Sequence, residues 1–137
     1  MLGRLSLVLI LGLLLAVLMT RGAQAEANLF CIAADRNVAA LQIQGVLPDD
    51  KSAFSKLEGA VKSDLFGDTI FSEKDVKLFA WANNEVRILL VKALPDGKPV
   101  EVEILAIERT NMVDYGGGYF VRYGGATVSG RIACTGG

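Results

Sequence analysis

Tyr115, Tyr119, Arg122 and Tyr123 crowd around two glycine runs, Gly116-Gly117-Gly118 and Gly124-Gly125. Phenol rings and a guanidinium give broad contact area with few rotors, and their O–H and N–H groups add directional hydrogen bonds. That is the chemistry of recognition, suited to a protein, peptide or glycan surface. These four residues are therefore the candidate binding set. The three glycines at 116–118 supply no side chains to shield the rings, and by themselves they make the segment hard to order. The alternative is a terminal hairpin whose rings close the end of a core and whose glycines serve turns and bulges.

Catalysis has less to work with. The chain contains no histidine. This removes Ser-His-Asp and Cys-His nucleophilic sites, His-ligated metals and the usual neutral-pH general base. Glu101, Glu103 and Asp114 remain as carboxylates for a small hydrolase or isomerase, which would need a concave pocket that raises a carboxyl pKa. Lys77, Lys92, Glu101 and Glu103 fall together at one end of a strand array. On a wet sheet face such charges are cross-strand pairs worth under about 1 kcal/mol each. The glycines at 116–118 lack the Lys-Ser/Thr pair and helix pattern of a phosphate loop. The expectation is a protein without catalytic activity, with no cofactor and no metal.

The cysteines are Cys31 and Cys134, one near each end of the 137-residue chain. Redox pairs usually stand two residues apart and zinc sites want four ligands, so neither spacing nor number fits those uses. In an oxidising compartment an even pair reads as a disulfide, which would set the first and last strands side by side.

The compartment follows from the N-terminus. Arg4 precedes and Arg21 follows an apolar run, Leu5 to Met19, and Ala23-Gln24-Ala25 comes next. Charged, apolar and small-residue segments in that order make a secretory signal peptide over residues 1–25. An uncleaved anchor is the alternative, but a span needs roughly 20 apolar residues and this run is shorter. Residues 26–137 then form one exported domain, periplasmic or secreted, with no stable membrane span after cleavage. All 15 acidic residues lie in that part, while two of the 14 basic ones, Arg4 and Arg21, belong to the leader. The acidic balance excludes a nucleic-acid binder that works by net positive charge, and the apolar content excludes a disordered chain.

Strands are expected at 29–34, where every residue is apolar, and at 38–46, where apolar and polar residues alternate. Pro48-Asp49-Asp50 interrupts and offers a helix cap. Ala53, Phe54, Leu57, Val61 and Leu65 then recur at three- and four-residue steps, which predicts a helix ending at Gly67. Gly59 inside it would cost about 1 kcal/mol relative to alanine. Strands follow at 76–82, 85–93, 100–109, 119–123 and 126–134, with hairpin turns at Asn83-Asn84, Pro95-Asp96-Gly97 and Gly124-Gly125.

Two-residue pairing across Asn83-Asn84 sets Trp81 opposite Val86 and Phe79 opposite Ile88. Pairing Ala93 with Val100 sets Lys92 opposite Glu101 and Ile88 opposite Leu105. Val76, Leu78, Leu89, Val91, Val102 and Ile104 then form the core face under the helix. Phe79, Trp81, Val86, Ile88, Leu105 and Ile107 form either a second core or an exposed patch. The expected fold class is α+β: a mostly antiparallel, nearly closed sheet of about seven strands with one helix packed on it. The expected function is binding or accessory work in the cell envelope or secreted space. The alternatives are a structural subunit of an envelope assembly and a carboxylate-dependent enzyme.

Overall fold

The computed structural model describes residues 26–33, 40–109 and 114–137. The signal peptide expected at 1–25 lies outside them. The elements are β1 (Ala27–Ala33), β2 (Ala40–Leu47), β3 (Lys56–Ser63), β4 (Gly67–Ser72), a 3-10 turn (Glu73–Asp75), β5 (Val76–Ala82), β6 (Glu85–Ala93), β7 (Pro99–Glu108), β8 (Asp114–Tyr123) and β9 (Ala126–Gly136). All nine strands join one antiparallel sheet in the order β4-β3-β2-β1-β9-β8-β7-β6-β5. The α+β expectation is overturned: the described chain is almost wholly antiparallel β, nearly closed like a barrel, and no α-helix occurs among the described residues.

The segment expected as a helix is β3. Leu57 and Val61 stand four apart, which suits one face of a helix and equally one face of a strand. Gly59 between them decides the matter. It faces inward opposite Ile43 on β2 and Phe71 on β4, and a Cβ there would lie 3.4 Å from the Phe71 Cβ. That is ordinary contact distance, so the strand is in close register with β4 at this point. Leu57 and Val61 are buried on the same face, while Glu58, Ala60 and Lys62 are exposed. β4 is the strand that the helical reading concealed.

Eight successive antiparallel pairings leave β4 and β5 pointing the same way. The chain therefore leaves the edge of β3, kinks through the 3-10 turn and joins β6, acting as one broken strand that brings the sheet's two ends together. Ser72 caps the kink: its Oγ accepts from the Lys74 N–H at 3.3 Å, and its own N–H donates to Asp75 Oδ2 at 2.8 Å. Glu73 Oε2 accepts from the Leu57 N–H at 3.2 Å, which ties the kink back to β3. Phe54 and Phe79 close the seam beside it, ring centroids 4.3 Å apart.

The Asn83-Asn84 turn behaves as expected. Both residues have positive φ, 54° and 64°, as a type I′ turn requires, and Trp81 pairs with Val86 and Phe79 with Ile88. The Pro95 turn does not. Its loop holds three residues, with Gly97 at φ 83° and Leu94 N–H bonded to Lys98 O at 3.0 Å. This is a type I turn followed by a left-handed glycine. Ala93 consequently pairs with Pro99 and Ile88 with Ile104. The one-residue shift exchanges the faces of β6 relative to β7: Val102 and Ile104 face the core as expected, but beside Ile88 and Leu90 rather than Leu89 and Val91. Val100, Val102 and Ile104 turn inward beside Ile88 and Leu90, and Leu105 and Ile107 turn out. Leu78, expected in the core, is 48% exposed, while Trp81, Val86 and Ile88 are buried.

β1 has one buried face rather than two: Leu29 and Cys31 point in and Ile32 points out. It lies beside β9, so the first and last strands are neighbours as expected. Cys31 is directly opposite Cys134, their Cα atoms are 4.1 Å apart, and the two are disulfide-bonded.

Candidate functional site

The wall made by β7, β8 and β9 carries all four candidate binding residues, but alternation along β8 divides them. Tyr115 and Tyr119 point inward. Tyr119 is 0% exposed and is the largest of the fully buried side chains. Tyr115 O–H accepts a hydrogen bond from Trp81 Nε1 at 3.0 Å, and the two rings meet edge to face with centroids 6.0 Å apart. Lys51 covers the far side of the indole, its Nζ 4.1 Å from the ring. Buried rings of this kind satisfy their polar handle internally and add packing area. The exposed tyrosine cluster expected from sequence is therefore not formed, because two of its three rings belong to the core.

Arg122 and Tyr123 remain accessible. Arg122 lies opposite Glu101 in the β7–β8 register. Its Nη1 is 3.0 Å from Glu103 Oε2 and 3.7 Å from Glu101 Oε2, and its guanidinium stands 5.3 Å from the Phe120 ring centroid. The expected Lys92–Glu101 pair is replaced by this clamp, and Lys92 instead reaches the Ile70 carbonyl at 2.6 Å. The cause is again the three-residue loop, which sets Glu101 opposite Val91. Asp114 sits at the other end of β8, opposite Thr135, so the three carboxylates considered for catalysis do not converge.

Tyr123 is held from several sides. Its O–H donates to Asp96 Oδ2, its ring centroid lies 5.5 Å from that of Phe66, and Lys98 Nζ is 5.9 Å from the ring. Asp96 and Lys98 come from the Pro95 loop and Phe66 from the β3–β4 turn, so two chain segments converge on one ring. Tyr123 and Lys98, with Glu101, Arg122 and the Gly124-Gly125 turn, border a shallow groove of about 380 Å³, while Asp96 and Phe66 hold the ring from outside its lining. Pro95-Asp96-Gly97 was read only as a turn. Its aspartate is also a site residue, and nothing local marks it as such.

The contacts set the acidities. The Tyr123 hydroxyl, then the Lys98 backbone N–H, hold the Asp96 carboxyl below its ordinary value, and the same bond raises the Tyr123 phenol above its ordinary value. A lowered carboxyl stabilises the fold above its unfolded pKa and loses that contribution as pH falls through the folded one. A raised phenol contributes below its unfolded pKa and loses it as pH rises through the folded one. The bond should thus be fully formed across the neutral range and fail in acid below the ordinary aspartate range and in strong alkali. Tyr123→Phe should move the Asp96 titration upward in a carboxyl NMR titration. An unchanged Asp96 pKa would show that the backbone N–H alone sets it.

The glycines are structural. Gly116, Gly117 and Gly118 sit in β8, in register with Ile107, Ala106 and Leu105 of β7. A Cβ on Gly117 would overlap the Leu105 carbonyl oxygen, and one on Gly116 would overlap the Arg109 guanidinium. Gly117→Ala should therefore destabilise the protein by about 1–3 kcal/mol by pushing β7 and β8 apart. Gly124→Ala at the open turn, where nothing lies within 4 Å, costs only the strain of its positive φ. Urea unfolding of the two variants checks the order.

Among the described residues, no group of three or more His, Cys, Asp or Glu side chains is placed to hold a metal ion. No helix among them is long and apolar enough to cross a membrane. Comparison of the chain with protein-family models, curated protein sequences and solved structures finds no match.

Proposed function

We propose that the protein is an exported, non-catalytic binding module that recognises a protein, peptide or glycan through the Arg122–Tyr123 groove. The observation that carries this reading is preorganisation. Arg122 is held between Glu101 and Glu103 and Tyr123 is held by Asp96. A planar cation and an aromatic ring, on successive residues and opposite faces of β8, thus border one open groove with their rotamers already restrained. Groups fixed before contact lose less entropy on binding. The inward face of the sheet is occupied by apolar side chains from β1 through β9, which leaves recognition to the outer surface.

Export is supported by the leader pattern at 1–25 and by the buried disulfide. Protein recovered from the periplasm or medium should begin Glu26-Ala27-Asn28-Leu29 on N-terminal sequencing. An intact leader in the membrane fraction would point to an anchor instead.

The binding reading is tested with Arg122→Ala combined with Tyr123→Ala. Arg122 lies on the outer face and Tyr123 is only partly buried at the edge of the core, so the fold should survive with some loss of stability, as monitored by Trp81 fluorescence. Cross-linked partners recovered with the unaltered protein and identified by mass spectrometry should be lost with the double variant. Equal recovery by a folded double variant would remove this groove as the contact site.

A further inference from the structure

The seam where the sheet fails to close has the properties of a strand acceptor. β4 pairs with β3 along one edge, and among the described residues no strand pairs with the other. β6 is paired on its β5 side only as far as Leu90, which lies opposite Val76. Asp68, Thr69 and Ile70 on one bank and Lys92, Ala93 and Leu94 on the other border a groove of about 560 Å³.

The backbone of β4 faces into this groove. Lys92 Nζ donates to the Ile70 carbonyl at 2.6 Å from the β6 side, so that carbonyl points away from β3. In an antiparallel strand the N–H of the same residue points the same way. Residues two positions apart share that direction, which puts Asp68 and Ser72 on the same edge. The Ser72 N–H is taken by Asp75 Oδ2. Side chains thus stand at two positions where a neighbouring strand would bond, while the N–H groups of Asp68 and Ile70 face the groove. Thr69 lines the same groove, and its buried hydroxyl has no hydrogen-bond partner among the described residues. Ile70 is 71% exposed, ready to meet the side chain of a strand laid alongside.

We propose that the groove between β4 and β6 accepts an extended peptide segment of a protein partner, which pairs with the free edge of β4 as an added strand. Main-chain bonds supply the affinity, as in other cases of strand addition to an exposed sheet edge. An N–H of the incoming strand replaces Lys92 at the Ile70 carbonyl. The released ammonium then favours a segment that carries an acidic side chain at that register. Banks on both sides admit a lone strand and exclude the edge strand of a second barrel, which arrives backed by its own sheet. This site is separate from the Arg122–Tyr123 groove.

The test uses the full chain and a synthetic heptapeptide that alternates valine and threonine around one central glutamate. Two control peptides carry methyl groups on alternate backbone nitrogens, one in each register. Amide exchange at Asp68 and Ile70 should slow by about tenfold or more with the parent peptide, and at least one methylated peptide should fail to slow it. Replacing the central glutamate by glutamine should weaken binding to the unaltered protein by up to about fivefold, the worth of an exposed ion pair, and should leave binding to a Lys92→Met variant unchanged. Trp81 fluorescence melting confirms that this variant folds. Arg122→Ala with Tyr123→Ala should leave the protection unchanged, so failure of the groove reading and failure of this one are distinguishable. The proposal is overturned by absence of protection at millimolar peptide, by equal protection from all three peptides, or by a glutamate-to-glutamine effect as large in a folded Lys92→Met variant as in the unaltered protein. It is equally overturned if protection appears without peptide as a dimer forms in sedimentation, since the occupant is then a second copy.

Discussion

Tyr119→Ala should cost about 3–5 kcal/mol of stability, the range for removing a buried ring and leaving its cavity. A domain of this size holds roughly 5–15 kcal/mol in all, so the variant loses about a third or more of its stability over most of that range. The reason is position rather than residue type. Tyr119 lies opposite Ile104 on β7 and Gly130 on β9 and is fully enclosed by the sheet. Tyr119→Phe keeps the ring and should recover most of the loss. Arg122→Ala, three residues along the same strand, removes only a surface clamp whose side chain is 40% exposed and should cost under about 1 kcal/mol. Urea unfolding followed through Trp81, the sole tryptophan, reads all three. A folded Tyr119→Ala variant with unchanged midpoint would contradict the inward placement of β8.

Loss of the disulfide is the second large effect. The bond spans 103 positions of sequence, and a loop of that length is worth roughly 4–5 kcal/mol at most in the chain-entropy account. The Cys31→Ala, Cys134→Ala double variant should melt on the order of 15 °C lower. The bond joins β1 to β9, and that pairing links the β1–β4 half of the sheet to the β5–β9 half. Both sulfurs are buried, so reduction without denaturant should be slow and the double variant is the cleaner measurement. A shift below about 3 °C would mean that strand pairing and packing hold the halves together unaided.

Several features were legible because they are local. Asn83-Asn84 and Gly124-Gly125 adopt positive φ at both positions, which their residue types permit at little cost. The alternation in residues 38–46 marked a strand whose observed bounds are 40–47, and the Asn83-Asn84 turn marked the start of the strand at 85–93. Cys31 and Cys134 had no partners but each other. Other features stayed hidden for definable reasons. Leu57 and Val61 satisfy both periodicities, so their segment took its conformation from Ile43 and Phe71 across the sheet. Pro95-Asp96-Gly97 announces a turn but not its parity, and a loop of three residues instead of two or four sets Ile88 and Leu90 of β6, not Leu89 and Val91, on the face shared with Val102 and Ile104.

The candidate site shows the same division. Residue types alone marked β8 as contact chemistry, and strand alternation already required Tyr115, Tyr119 and Tyr123 to share parity, opposite to Arg122. Which parity faces inward was settled by the neighbours of β8 on both sides, through Ile104 and Ile132. Asp96, Lys98 and Phe66 reach Tyr123 only because two loops distant in sequence meet at one end of the sheet. What the sequence determined by itself was the set of short-range preferences: where the chain turns, where it alternates, and which cysteines can bond. Only the tertiary structure decided which face is buried and that β4 and β5 serve opposite ends of one sheet. Those outcomes depend on pairing energies between strands far apart in the chain, and no local window contains them.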